Sequence, residues 1–370
     1  MARTNVTIKD VAREAAVSVA TVSRALNGHE NVAEGVRKLV VETASRLRYQ
    51  PHAAARSLSS RRTQTIGVVL PDLHGEFFSE LIRGIDAVAR AHRRHLLVSS
   101  YHGHPEEQGE ALRAMRGRVD GLLVLSPYAD RPGFLTGYLP QALPAVLINT
   151  YLPDPVYPVL SIDNFGGASA MVRHLATSGR RRIAFICGPQ GNFDASERLR
   201  GYRSALAEHL PGAEAMELPG DFDESSGYEA GKRILAGRQR PDAVFAANDM
   251  MALGCLYAFN EAGVRIPDDI ALAGFDDIPL ARFVHPPLTT MRVNIAELGG
   301  LALDKLLVAI EHEGVEDVTS QTLVPELIVR ESSTTTAGHA PNIHAGAPAP
   351  AWMLGAWPAV VVLDSRTISS

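Results

Sequence analysis

The chain has 370 residues, 46% of them hydrophobic and 21% charged. That is ordinary globular composition for two or three domains, and it excludes wholesale disorder. No apolar run reaches the roughly 18 residues of a membrane span. The start, MARTNVTIKDVAREA, lacks the apolar core of a secretory leader, so the expected compartment is a reducing cytoplasm. Cys187 and Cys255, the only cysteines, form neither a disulfide framework nor a zinc ligand set. The net charge of −5 is unevenly spread: residues 1–62 carry +6 and the rest carries −11. A small basic head on an acidic body suits a head that meets a polyanion.

Three helices are expected in the head. Thr7 caps the first in a capping-box spacing with Asp10, and Ile8, Val11, Ala12 and Ala15 form one apolar face. The pattern breaks at Ala15-Ala16-Val17. Ser18 then caps a short second helix, Val19 to Leu26, which Asn27-Gly28 stops. A third helix runs from about Glu34 to Leu47, with Val36, Leu39, Val40, Ala44 and Leu47 inward, and Pro51 bars its continuation.

Helix, tight turn, short helix and supporting helix is the layout of a helix-turn-helix reader of DNA. With Val22, Ala25 and Leu26 inward, the second helix offers Val19, Ala20, Thr21, Ser23 and Arg24 to the major groove. Val19 and Ala20 suit thymine methyl groups, and Arg24 suits a guanine or a phosphate. The next stretch, His52-Ala53-Ala54-Ala55-Arg56-Ser57-Leu58, is too short for a stable free helix. An apolar Leu58 among Arg56, Arg61 and Arg62 fits a minor-groove wedge, though composition alone reads as a linker.

The runs VTIKDVAREAAVSVATVSRALNG and LRYQPHAAARSLSSRRTQTIGVVLPD resemble the LacI/GalR family of bacterial transcription regulators, over about residues 5–332. The resemblance implies that Val19, Ala20 and Arg24 read the major groove. It also implies that Leu58 enters the minor groove from a hinge helix that folds on DNA. The expected DNA-contact set is Thr7, Ser18, Val19, Ala20, Thr21, Ser23, Arg24, Asn27, His52, Ala55, Arg56 and Leu58. The family usually has glycine where Ala16 stands and often asparagine where His52 stands. An alanine forced to positive φ at position 16 would cost about 1 kcal/mol.

From Thr65 the period changes. Residues 66–71, 96–101, 121–126, 145–150 and 159–163 read as buried strands, as do 182–188, 243–248, 270–277 and 288–293. Helices are expected over Phe77–His92, Glu106–Arg116 and Gly166–Thr177. This alternation, restarted once, predicts two doubly wound parallel sheets forming two lobes, with ligands at the carboxyl ends of the strands. Asp72, Phe77, Phe78, Asn149, Asp163, Asn192, Asp194, Arg198, Phe222, Asn248 and Asp276 fall near those ends. Carboxylates, amides and one arginine around aromatic rings suit a hydroxylated ligand, although Asp and Asn also serve as caps and turns.

The resemblance implies a body of the periplasmic sugar-binding-protein fold. It matches Asp72, Phe77, Phe78, Asp163, Arg198, Phe222, Asn248 and Asp276 to effector contacts. Val293 replaces a glutamine frequent in sugar-binding members, and Asn149-Thr150 stands where a sugar-gripping Asp-Arg pair can occur. A purine or another polar metabolite therefore stays open beside a sugar.

No nucleotide loop, dinucleotide fingerprint, zinc-protease motif or hydrolase elbow is present. His102-Gly103-His104 reads as a solvated loop rather than a metal site, so no metal and no cofactor are expected. The Ala-, Pro-, Gly- and Thr-rich residues 333–370 read as a flexible extension without leucine heptads. The expected organisation is a DNA-binding domain (1–50), hinge and linker (51–63), two-lobed effector-binding and dimerisation core (64–332) and extension (333–370). The expected protein is a homodimeric, nucleoid-associated repressor binding a near-palindromic operator under control of a sugar-like effector. The alternatives are a solute-binding protein or a sugar or nucleoside hydrolase of similar fold.

Overall fold

A computed structural model describes residues 6–26, 31–49, 62–102, 104–128, 137–139, 143–151, 157–311 and 319–334. In the head, α1 (Ile8–Glu14), α2 (Val19–Leu26) and α3 (Glu34–Arg46) fall where periodicity places them. Their core is small: Val11, Ala12, Ala15, Val22, Ala25, Val32, Val40 and Ala44. Leu39, expected inward, is instead exposed, and Thr43 is buried. Thr43 lies three residues before Arg46 on the face that already holds Val40 and Ala44, so the inward stripe is narrower than the spacing suggested. Ala16, in the turn between α1 and α2, has φ of 52°. The left-handed turn that favours glycine is thus made here by alanine, at about 1 kcal/mol.

The body begins with β1 (Thr65–Leu70), α4 (Glu76–Ala91), β2 (His95–Ser100), α5 (Pro105–Met115), β3 (Gly121–Leu125), β4 (Ala145–Ile148) and β5 (Val159–Ile162). After α6 (Asn164–Thr177) come β6 (Ile183–Ile186), α7 (Phe193–His209), β7 (Met216–Leu218), α8 (Glu224–Ala236), β8 (Ala243–Ala246), α9 (Asp249–Glu261) and β9 (Ala271–Ala273). The last elements are β10 (Thr290–Arg292), α10 (Ile295–Glu311), β11 (Gln321–Leu323) and β12 (Glu326–Ile328).

Two parallel sheets result. The first lobe has the order β11-β5-β4-β3-β1-β2 and the second β7-β6-β8-β9. The 288–293 segment runs parallel to residues 273–276 through isolated bridges, while on its other side β10 pairs antiparallel with β12. That pair runs beside the β9 edge of the second sheet, to which it is bridged at Ala273–Thr289 and Asp276–Arg292. The chain crosses three times: from β5 to α6, from β10 to α10, and from β11 to β12. The first lobe is therefore completed by α10 and β11 from late in the chain.

Glycine pairs let helices meet backbone to backbone in each lobe. A Cβ on Gly84 of α4 would fall 1.9 Å from the carbonyl oxygen of Ala296 in α10. A Cβ on Gly254 of α9 would fall 1.8 Å from the carbonyl oxygen of Glu224 in α8. Both cysteines are free thiols, and burial pushes that of Cys187 up to about 11.

The start of the body is fastened at the base of the first sheet. Asp120, before β3, accepts from the Thr63 hydroxyl at 2.8 Å, the Gln64 amide at 2.9 Å and Arg94 Nη1 at 2.9 Å. It also accepts from the Thr63 amide. Among the described residues, no helix is long and apolar enough to cross a membrane.

Candidate functional site

Two surfaces carry the expected chemistry. On the head, Val19, Ala20 and Arg24 are exposed along α2, while Thr21 and Ser23 are half-buried. Two hydroxyls shape the helix starts. The Ser18 Oγ accepts the Thr21 amide at 3.0 Å, and the Thr7 hydroxyl donates to Asp10 Oδ2 at 2.7 Å. Arg24 Nε donates to the Ala20 carbonyl oxygen at 3.3 Å, which leans its guanidinium toward the start of α2. A small apolar face at the helix start, with one long cation from the last turn leaning back toward it, fits the bottom of a major groove. Asn27, His52, Ala55, Arg56 and Leu58 lie outside the described residues.

The second surface is a cleft of about 400 Å³ between the lobes. Nine of the eleven effector candidates line it: Asp72, Phe77, Phe78, Asn192, Asp194, Arg198, Phe222, Asn248 and Asp276. Sequence reasoning left out other lining residues, among them His74, His102, Leu125, Tyr128, Asp221, Met250 and Ile278. Asp221 carried a signal beside Phe222, whereas Leu125, Met250 and Ile278 look like core residues in any linear reading.

Arg198, from the first turns of α7, is the hub. It is 4% exposed. Its Nε donates to Asn164 Oδ1 at 2.8 Å and its Nη1 to the Ala247 carbonyl oxygen at 2.6 Å. Its Nη2 lies 3.2 Å from Asp276 Oδ1, at ion-pair distance but without hydrogen-bond alignment. The guanidinium stands 3.8 Å from the ring centre of Phe275 and 5.7 Å from that of Phe222. The geometry holds a cation at the floor of the cleft between two rings.

Around it the carboxylates are buried. Asp194 Oδ1 accepts from Asn164 Nδ2 at 2.8 Å. Burial pushes the Asp194 carboxyl up to about 6 against the opposing pull of Arg198. Burial likewise pushes Asp276 up to about 6, again opposed by Arg198. Asp249, which accepts from Thr290 Oγ1 at 2.6 Å and the Ile278 amide at 3.0 Å, is raised well above its ordinary value, by burial and then by Asp276. Asp277 bridges Arg292 at 2.7 Å and Arg330 at 2.6 Å.

Local backbone explains how these groups face the cleft. Phe222, Asp276 and Asp277 have φ of 73°, 111° and 55°, the left-handed side that L-residues avoid. Such strain gathers at binding sites. Asn192 and Asn248 each cap a helix as well: their Oδ1 atoms accept the Ala195 and Met251 amides, both at 3.0 Å. Capping and lining thus coincide in these two residues.

Two candidates lie off the lining. Asp163 turns its Oδ1 onto the Gly166 amide at 2.8 Å and caps α6. Asn149 is buried behind Asp194, to which its side chain hydrogen-bonds, with Oδ1 left without a partner. Both end strands, as the sequence reading said, yet the cleft opens elsewhere along those edges. Among the described residues no group of three His, Cys, Asp or Glu is placed to hold a metal ion.

Comparison with known proteins agrees with both surfaces. Residues 7–52 match the family model for bacterial regulatory proteins, lacI family, and residues 172–333 match that for a periplasmic binding protein-like domain. Catabolite control protein A of Priestia megaterium is 34% identical over 333 residues, covering 89% of this chain and 99% of that protein. The HTH-type transcriptional regulator GalR of Salmonella typhimurium is 36% identical over 340 residues, covering 90% and 98%. A solved structure of the lac repressor dimer bound to operator and the anti-inducer ONPF superposes with a TM-score of 0.80 at 28% identity, over 89% of this chain and 99% of that one. The chain belongs to the LacI family of bacterial regulatory proteins: it is a DNA-binding transcription regulator, not an enzyme, built as a helix-turn-helix head on a periplasmic-binding-protein-like body.

Proposed function

We propose that the chain is a homodimeric, nucleoid-associated cytoplasmic repressor whose affinity for a near-palindromic operator is set by a small polar effector held between its lobes. The observation that carries the reading is the meeting of nine of the eleven expected residues in one cleft, on a chain whose head exposes Val19, Ala20 and Arg24. The head would be residues 1–50, the hinge and linker 51–63 and the core 64–332. The extension expected from 333 would be dispensable only beyond about Thr336, because the buried Ser333 hydroxyl bonds His174 and Thr289 in the core. Two heads would sit on two half-sites, as the lac repressor dimer sits on its operator.

Effector in the cleft would change the angle between lobes and so the separation of the two linkers. Asp120 ties each linker's end to the first lobe, which makes that lobe the one that moves the head. Coupling is reciprocal, so operator must change effector affinity by the same factor. Enriching random duplexes on the purified full-length chain tests the DNA half of the reading. The expected product is a near-palindrome whose binding weakens steeply with salt. Arg24→Ala should weaken that binding, and enrichment of no common sequence would sink the reading.

A further inference from the structure

We propose that the effector is an amine-bearing, hydroxylated molecule of amino-sugar size, and that the cleft selects against phosphorylated and carboxylated ligands. The inference rests on the regulator reading above and adds the charge of the ligand. It starts from a count of buried charges. Asp194, Asp249, Asp276 and Asp277 are each at most 9% exposed and form one connected cluster with Arg198, Arg292 and Arg330. Four carboxylates face three guanidinium groups, and Arg292 is also shared with Glu326. The cluster is at least one positive charge short. Buried charges persist when paired, so the deficit must be met by protons or by a cation brought from outside.

The deficit faces the cleft. Arg292 and Arg330 both serve Asp277, which leaves Arg198 as the cation for Asp194, Asp249 and Asp276. Arg198 is itself committed to Asn164 and Ala247. Asp276 lines the cleft, and its buried Oδ1, 3.2 Å from Arg198 Nη2, accepts no aligned hydrogen bond. Nearer the rim, Asp72, Asp221 and Asp223 add three more carboxylates, and among the described lining residues no lysine and no second arginine offsets them. Burial raises the carboxyls of Asp194 and Asp276 even against the pull of Arg198, and Asp276 adds to the rise of Asp194.

An ammonium group on the ligand would supply that countercharge and donate to Asp276. Ring hydroxyls would donate to the remaining carboxylate and amide oxygens, and Phe77, Phe78 and Phe222 would cover the apolar face of the molecule. A phosphate would enter a low-dielectric site already in excess of negative charge, without a free donor such as a lysine to meet it.

Matched triplets test the charge alone. Glucose, glucosamine and glucose 6-phosphate, with the galactose and mannose equivalents, are titrated by calorimetry into the full-length protein. The expected order within a binding triplet is amine, then neutral sugar, then phosphate, each step about tenfold in affinity. Asp276→Asn should shrink the first step to about twofold or less. Asp194→Asn, with a melting curve to confirm folding, repeats the measurement should Asp276→Asn fail to fold. Equal affinity for amine and neutral sugar, tighter binding of a phosphate, or no binding by any of the nine compounds overturns the proposal. Binding of the same preparations to an enriched palindromic duplex is read alongside. Loss of duplex binding would sink the regulator reading, whereas intact duplex binding with a failed charge order sinks only this inference.

Discussion

The first lobe meets the cleft with Phe77, Phe78, Leu125 and Tyr128 beside Asp72, His74 and His102, whereas the second meets it with Asn192, Asp194, Arg198, Asn248 and Asp276 beside Phe222, Met250 and Ile278. The aromatic wall is half-buried and few of its side chains are tied by hydrogen bonds. The polar wall is buried, and Arg198 Nε and Nη1 and Asn248 Nδ2 already donate to protein oxygens. Preorganised polar groups give orientation and selectivity at little reorganisation cost, while an apolar face supplies area and tolerates small shifts. The second lobe thus carries most of the buried polar groups of the cleft, and the first lobe much of its apolar face. Asp120 fastens the start of the body, at Thr63 and Gln64, to the lobe that carries the aromatic wall.

Arg198→Ala should give the largest effect. It leaves Asp194 and Asp276 without their cation and Asn164 Oδ1 and the Ala247 carbonyl without a donor. A loss of about 3–5 kcal/mol is expected by urea denaturation. Phe78→Ala on the opposite wall removes a half-buried ring and should cost about 1 kcal/mol. The reverse order would break the contrast between the walls.

The pH dependence of stability should separate the walls next. Burial holds Asp194 and Asp276 at about 6, above the roughly 3.9 of an unfolded aspartate. Between those values the folded chain binds more protons than the unfolded chain. These groups therefore stabilise most at about pH 4, and their contribution is lost as pH rises through about 6. Arg198 opposes the shift in both, and Asp249 and Asp276 reinforce the crowding of negative charge. His174, whose ring burial keeps neutral, works in the opposite sense in the same window. The comparison is therefore made between wild type and Asp276→Asn. Relative to wild type, the variant should gain about 2 kcal/mol between pH 4.5 and 7.5. Parallel curves for the two proteins would remove the buried-charge account of the second lobe.

Asp163→Ala should give the smallest effect, about 1 kcal/mol, the value of one helix cap. Because Asp163 lies off the lining, the affinity for any ligand found by calorimetry should be unchanged. A large loss of ligand affinity would bring Asp163 back into the site.

Five of the nine body strands expected from sequence, β1, β3, β4, β6 and β8, are four to six residues long, largely aliphatic and buried on both faces, which is why linear patterning shows them. The strands β7, β11 and β12 escaped because each has three residues, all partly exposed. Helix α7 escaped because Arg198 is buried on a face where a linear reading expects an aliphatic side chain. Asp163 and Asp276 look alike in sequence, each an acid at the end of a strand. One folds back on a helix start, and the other, at φ of 111°, is turned into the cleft. Only backbone direction distinguishes them, and that depends on where the chain crosses between lobes.

Those crossings have a mechanical consequence. Two bodies joined by one strap can swing and twist freely. Three straps along a common line allow a door-like rotation and resist twist. Here the straps are locked to one another: β10 and β12 pair across two of them, and Asp277 grips Arg292 of β10 and Arg330 just beyond β12. Opening is thereby confined to nearly one degree of freedom, so whatever fills the cleft is converted into a single angle. An axle of this kind also cannot be cut: removing the chain beyond β10 takes away α10 and β11 and leaves the first lobe, and the head fastened to it, without its own edge strand.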